Sequence, residues 1–140
     1  MAGTVRRAEV EDIPALMRIR SGVRENRLSD PAKVPAAAYR TFIDGPGIWL
    51  WDEDGSVLGF SAADTTDGTI WALFVDPAAE GLGIGGELLS CALDDLRASG
   101  WTESRLSTGP GTRADEFYRR RGWVDAGMSV SGERLLAKAL

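Results

Sequence analysis

Histidine is absent from this 140-residue chain. That removes Ser–His and Cys–His nucleophile pairs, histidine metal ligands and the usual general base. Proton transfer is left to Asp, Glu, Tyr, Lys, Cys or water. A single cysteine, Cys91, excludes an intramolecular disulfide and any multi-cysteine zinc site, and no metal is expected. No apolar run approaches the ~20 residues that span a bilayer, so no membrane partner is expected. Met1–Arg7 lack the apolar core of a secretory signal, and the expected location is cytoplasmic. A surplus of positive charge is lacking too. Lys and Arg total 16 against 21 Asp and Glu, a formal net charge of -5, which argues against nucleic acid as a partner. Arg119–Arg120–Arg121 is the local exception and reads as a solvated helix end.

What is present is a core and a glycine cluster. At 44% apolar the chain is expected to form one domain over residues 1–140 with an ordinary hydrophobic core. Gly81-Leu82-Gly83-Ile84-Gly85-Gly86 follows the apolar run Trp71–Val75 and opens an amphipathic stretch that ends near Ser99. Glycine lets backbone N–H groups approach a ligand with no Cβ in the way, and a helix N-terminus carries roughly +0.5 of an elementary charge. Strand, bare loop and helix start together predict a cradle for a phosphate or pyrophosphate, hence a nucleotide-like cofactor.

The rest of the chain divides by periodicity and punctuation. Thr4–Ala8 reads as a strand, followed by a helix with Asp12 as N-cap and Ile13, Leu16, Met17, Ile19 and Val23 on one stripe. Arg24–Pro31 is a polar connector and Pro35–Ile43 a second helix. Ile48–Trp51, Ser56–Ala63 and Thr69–Val75 read as strands joined by tight turns, hence antiparallel. Leu88, Leu89, Ala92, Leu93 and Leu96 form the buried stripe of a third helix, stopped at Gly100. Trp101–Ser107, Trp123–Val130 and Arg134–Leu140 read as strands, with a helix at Thr112–Arg121. The helical crossover from Val75 to Trp101 predicts parallel pairing there, so the sheet is expected to be mixed.

Two segments carry a family resemblance. Leu73-Phe74-Val75-Asp76-Pro77-Ala78-Ala79-Glu80-Gly81-Leu82-Gly83-Ile84-Gly85-Gly86 resembles the acetyl-CoA signature, (Arg/Gln)-x-x-Gly-x-(Gly/Ala), of the Gcn5-related N-acetyltransferase superfamily. Ala114-Asp115-Glu116-Phe117-Tyr118-Arg119-Arg120-Arg121-Gly122-Trp123 is similar to that superfamily's Ala-x-x-x-Tyr-x-x-x-Gly-(Phe/Tyr/Trp) segment. The element order resembles the superfamily's as well. The implied fold is the α/β acyl-CoA N-acyltransferase fold: a central, mostly antiparallel sheet splayed between strands 4 and 5 and flanked by about four helices. Two positions depart from the pattern. Glu80 stands where Arg or Gln is usual, and its carboxylate is expected to turn to solvent. Gly111 stands where many members carry a cofactor-contacting Asn, with Thr112 as the available substitute.

The resemblance implies an N-acetyltransferase moving an acetyl group from acetyl-CoA to a primary amine by direct attack in a ternary complex. The backbone of Leu73, Phe74 and Val75 would bond the pantetheine arm, and Gly81, Leu82, Gly83, Ile84, Gly85 and Gly86 would hold the pyrophosphate. Thr112 would add a second cofactor contact, and Tyr118 would be the general acid for the departing thiolate. Its phenol, with a usual pKa of about 10, is protonated at neutral pH. Glu25, Glu133 or water stand as candidate bases, each more simply a surface group. Trp49, Trp51, Tyr39 and Phe42 are candidates for an aromatic acceptor pocket, although core packing accounts for them more simply. The acceptor is left open among small amines, peptide N-termini and lysine side chains, and a homodimer is compatible with the superfamily. The competing reading is a non-catalytic acyl-CoA-binding module of the same fold. A dinucleotide enzyme fits poorly, because Asp76–Glu80 separate the strand from Gly81 and the next strand ends without an acid.

Overall fold

A computed structural model describes residues 3–22 and 34–140. Val23, Glu25 and the connector Arg24–Pro31 lie outside the described residues. The strands are β1 (Thr4–Arg7), β2 (Trp49–Glu53), β3 (Ser56–Asp64), β4 (Thr69–Val75), β5 (Glu103–Thr108), β6 (Val124–Met128) and β7 (Arg134–Ala139). The helices are α1 (Ile13–Gly22), α2 (Ala36–Asp44), α3 (Ile84–Ala98) and α4 (Arg113–Arg120). One seven-stranded sheet runs in the order β1-β2-β3-β4-β5-β7-β6. Every neighbouring pair is antiparallel except β4–β5.

Turn chemistry fixes the first hairpins. Asp54 and Gly55 both take positive φ, 54° and 88°, between β2 and β3, as a two-residue hairpin turn requires. The Gly55 N–H donates to Asp52 Oδ1 at 2.8 Å and closes it. In the β3–β4 ladder, Ala62 pairs with Ala72 but Ala63 pairs with Ile70. Trp71 is the extra residue of a bulge, and the alternation of β4 is reset beyond it. Trp71, Ala72 and Phe74 therefore pack with α1 and α2, whereas Leu73 and Val75 pack on the α3 side.

Helices cover both faces. Leu16 and Ile19 of α1 and Tyr39 of α2 bury against Ile48, Leu50 and Phe60. On the opposite face Leu89, Leu93 and Leu96 of α3 and Tyr118 of α4 bury against Ile70, Leu106 and Leu136. Leu16, Leu88 and Leu96 are fully buried, and each such side chain stabilises by about 1.5–3 kcal/mol. The start of the first helical region differs from expectation. A 3-10 turn, Val10–Asp12, leads into α1 and is capped at Glu9. Asp12 serves from the third position of that turn, accepting the Glu9 N–H at 2.8 Å. The Arg6 guanidinium, bonded to the same carboxylate at 2.9 Å, holds its pKa below the usual range.

Candidate active site

The site begins with a missing ladder. Parallel pairing between β4 and β5 consists of a single residue pair, Thr69 with Arg105. Beyond it the strands diverge, so Ile70–Val75 meet no β5 partner along that edge. Backbone amides and carbonyls left this way must find another partner when water is excluded. The 3-10 turn Pro77–Ala79, capped by the Asp76 carboxylate accepting from the Ala78 N–H at 2.9 Å, then carries the chain to α3.

Gly81 and Gly83 take φ of 82° and 85°, and Gly83 is the N-cap of α3 in the left-handed region. A Cβ at either would meet no atom within 4 Å. Backbone conformation, and open space for a ligand above it, are what glycine supplies there. Gly85 is different. A Cβ on it would lie 3.4 Å from the Phe117 ring and 3.6 Å from Val75, which places Gly85 where α3, β4 and α4 converge.

A cleft of about 500 Å³ occupies this convergence. It brings together Leu73, Phe74, Val75, Gly81, Gly83, Ile84, Gly85, Gly86 and Tyr118, and its volume is typical of a small-molecule site. Two expected members are not among the residues lining it, although Leu82 stands between two that are. The Leu82 side chain is 70% exposed and does not line the cleft. Thr112 is the N-cap of α4: its hydroxyl donates to the Gly109 carbonyl at 2.7 Å and accepts from the Asp115 N–H. It lines a shallow depression on the outer side of α4 instead.

Tyr118 projects from the buried face of α4 and is 6% exposed. Its ring meets Phe117 and Trp123 edge-on, with centroids 5.3 and 5.6 Å away. No described residue hydrogen-bonds the hydroxyl, and burial pushes its pKa upward, keeping the phenol protonated. The first turn of α4 is fixed from below by Asp115, 5% exposed, which accepts from the Gly111 N–H at 2.9 Å and Arg119 Nε at 2.8 Å. Burial alone would raise the Asp115 pKa, but these donors hold it below the ordinary carboxylate range.

Three charged features were not legible from spacing. Glu80 lines the cleft, and its carboxylate does not point free into solvent: Oε1 pairs with Arg113 Nη1 at 2.8 Å. Arg120, paired with Glu116, also lines the cleft. Arg121 is exposed at the end of α4, as expected of a solvated helix end, and it is also held in place there. Its guanidinium lies 3.7 Å over the Phe117 ring and beside Gly86, facing the first turn of α3. The signal for Arg121 was its place one residue before the Gly122 stop, which turns the last arginine back over α4.

The candidate acceptor aromatics do not form one pocket. Tyr39 and Phe42 pack with Trp71 on the α1/α2 face. Trp49 and Trp51 lie with the cluster on the α3 side, where the Trp49 indole N–H donates to Asp95 at 2.9 Å. Of the candidate bases, Glu133 stands in the β6–β7 turn, away from the cleft, and Glu25 lies outside the described residues. Among the described residues no group of three or more Cys, Asp or Glu could hold a metal ion. No helix there is long and apolar enough to cross a membrane.

Comparison with solved structures gives the same architecture. The chain is similar to Ard1 from Thermoplasma volcanium (TM-score 0.81, 23% identity, covering 100% of this chain and 99% of that one). It is equally similar in fold to the PaiA N-acetyltransferase from Thermoplasma acidophilum, solved in complex with coenzyme A (TM-score 0.83, 16% identity, covering 100% of both chains). In sequence it is 35% identical over 90 residues to a mycothiol acetyltransferase of Beutenbergia cavernae, a match covering 60% of this chain and 30% of that protein. The chain spans less than half the length of the curated relatives it matches. The model of the acetyltransferase (GNAT) family matches residues 13–123, from the start of α1 through the end of the α4 segment. With the splayed sheet, the glycine-led helix and the tyrosine-bearing α4 gathered at one cleft, the chain belongs to the acetyltransferase (GNAT) family.

Proposed function

We propose that residues 1–140 act as one N-acetyltransferase domain that moves an acetyl group from acetyl-CoA to a primary amine in a ternary complex. The observation that carries this reading is the unpaired edge of β4, which runs into the glycine-led N-terminus of α3 and faces Tyr118 across one cleft. The residues present fit such a substrate. Leu73–Val75 offer main-chain partners to an extended amide-bearing arm, as a neighbouring strand would. Gly83 and the first turn of α3 offer unsatisfied N–H groups to a diphosphate, with Arg121 alongside.

The chemistry asked of the protein is modest. Acetyl-CoA supplies an activated thioester. An amide of the β4 edge stabilises the negative charge that develops on the carbonyl oxygen as the amine nitrogen bonds to carbon. Losing one such donor costs about 2.7–4 kcal/mol of barrier. As the carbon–sulfur bond breaks, Tyr118 gives its phenolic proton to the thiolate, and the amine's surplus proton leaves to water. Burial suits Tyr118 to this role, since it keeps the phenol protonated.

A thiol-release assay with acetyl-CoA and a library of primary amines tests the reading. Turnover on at least one amine, falling tenfold or more in Tyr118→Phe, supports it. Tight CoA binding with no turnover on any amine identifies a non-catalytic acyl-CoA-binding module.

A further inference from the structure

Arg20 is a half-buried cation that the chemistry above leaves unused. It stands in the last turn of α1, its guanidinium carbon 4.7 Å from the Phe74 ring centroid and 5.4 Å from that of Trp71. The Tyr39 phenol lies against the same group from α2. Its Nη1 is closed off from solvent and has no hydrogen-bond partner. Among the described residues no carboxylate pairs with it: α1 has no acid, and α2 has only Asp44, at its last position. The Tyr39 hydroxyl partners the guanidinium but Nη1 stays unpaired, and a closed-off charged N–H without an acceptor is destabilising, so one that persists points to a group that arrives later.

Position says what that group is. Phe74 belongs to the β4 segment that lines the cleft, yet its ring faces the α1/α2 layer, 5.6 Å from Phe60. The cleft itself opens on the α3/α4 face, where the thioester's carrier arm would lie. The opposite side of the β4 edge, toward Arg20, is then left for the attacking amine. A guanidinium supported by two aromatic rings presents its planar fork to a carboxylate, which it binds bidentately. Arg18 and Arg40 add positive charge to the same two helices, in a chain whose net charge is negative.

Resting on the acetyltransfer reading, we propose that the acceptor is a small amine carrying a carboxylate, of the amino-acid type, with Arg20 holding the carboxylate. Arg20 is thus a specificity-determining residue, and the amine points past Phe74 toward the β4 edge.

The test uses matched sets: an amino acid, its carboxamide and its decarboxylated amine. Calorimetry on the CoA-saturated protein measures binding, and thiol release measures turnover. The amino acid is expected to bind at least tenfold tighter than its two partners, with a correspondingly lower KM. Arg20→Met abolishes that preference while leaving CoA affinity and kcat on the decarboxylated amine unchanged, and Arg20→Lys restores part of it. Equal binding of all three compounds by the unmodified protein overturns the proposal, as does a loss in Arg20→Met that is the same for all three. If Arg20→Met does not fold, the wild-type comparison and Arg20→Lys decide it alone. Arg20-dependent carboxylate binding without turnover on any amine would instead defeat the acetyltransfer reading and leave the carboxylate site standing.

Discussion

Glu80 and Arg113 meet at the cleft, carboxylate Oε1 to guanidinium Nη1 at 2.8 Å, linking the glycine loop to the first turn of α4. Both line the cavity in which the site's anionic ligand is proposed to sit. The pair therefore places a carboxylate in competition with a diphosphate for one guanidinium. Glu80→Gln is expected to tighten CoA binding about fivefold, on the order of 1 kcal/mol for a partly exposed pair. Arg113→Gln is expected to weaken it. Calorimetry at low and moderate salt checks both, with the Glu80→Gln gain shrinking as salt rises. An unchanged or weaker affinity in Glu80→Gln would show that the pair is not in the ligand's way.

Tyr118→Phe separates proton donation from packing. The ring makes the contacts with Phe117 and Trp123, whereas no described residue bonds the hydroxyl. The variant should melt within a few degrees of wild type and bind CoA unchanged, while kcat falls at least tenfold, within the range of general acid catalysis. The free phenol titrates near pH ~10 and burial pushes Tyr118 higher. Wild-type kcat should therefore show no loss from Tyr118 ionisation between pH ~8 and ~9.5. A kcat in Tyr118→Phe within twofold of wild type would leave the phenol a packing group.

Gly83 and Gly85, two positions apart, play different roles: one caps α3 and the other lies within it. Gly83 holds φ of 85° with open space at its Cβ, so Gly83→Ala strains the backbone and is expected to destabilise by about 1 kcal/mol. Gly85 is helical, and its missing Cβ faces Phe117 and Val75 at ordinary contact distance. Gly85→Ala should raise stability by up to ~1 kcal/mol, as alanine does in a helix, and still weaken CoA binding by narrowing the cleft. Thermal melts with and without CoA read the opposite signs. Parallel effects in the two variants would refute the distinction.

The elements that position the cleft were legible because local chemistry dictates them. The Asp54–Gly55 turn sets the β2–β3 hairpin, the leucine stripe sets α3, and the glycines mark its start. The splay came from the resemblance, and the lone Thr69–Arg105 pair gives it physical form. What the chain's order hides is pairing between distant segments. Glu80 and Arg121 are both exposed, but the Glu80 partner Arg113 lies on another element and the Phe117 ring beneath Arg121 is in place only once α4 is wound. Asp12 has the composition of an N-cap but sits at the third position of the turn, a shift that Glu9 produces by starting the helical region earlier. Thr112 was correctly placed at a helix start, and that same capping duty occupies its hydroxyl.

Asp115 ties this helix start to acid stability. Its folded pKa is depressed, so its contribution is present above the unfolded value of about 3.9 and is lost as pH falls through the folded one. Asp115→Asn removes the charge paired with Arg119 and near Arg134 while keeping an acceptor for the Gly111 N–H. The variant is expected to lose about 2 kcal/mol at pH 7. Its deficit relative to wild type should shrink between pH ~4 and ~2. Denaturant melts across that range check the sign, and a deficit constant with pH would assign the loss to shape rather than charge.

Arg121 is the cation best placed to meet a phosphate beside α3. It stacks on Phe117 at 3.7 Å, approaches Gly86, and pairs with no carboxylate among the described residues. Stacking on the ring and a hydrogen bond from Nη1 to the Phe117 carbonyl at 3.4 Å hold the guanidinium in place, so little ordering is needed on binding. Arg121→Gln should weaken CoA about tenfold, a loss of ~1.4 kcal/mol, and flatten the salt dependence of binding. The affinity for pantetheine, which has the arm but no phosphate, should not change. Equal losses for CoA and pantetheine would mean that Arg121 acts by holding Phe117 against the arm. That outcome would move its role from charge to packing.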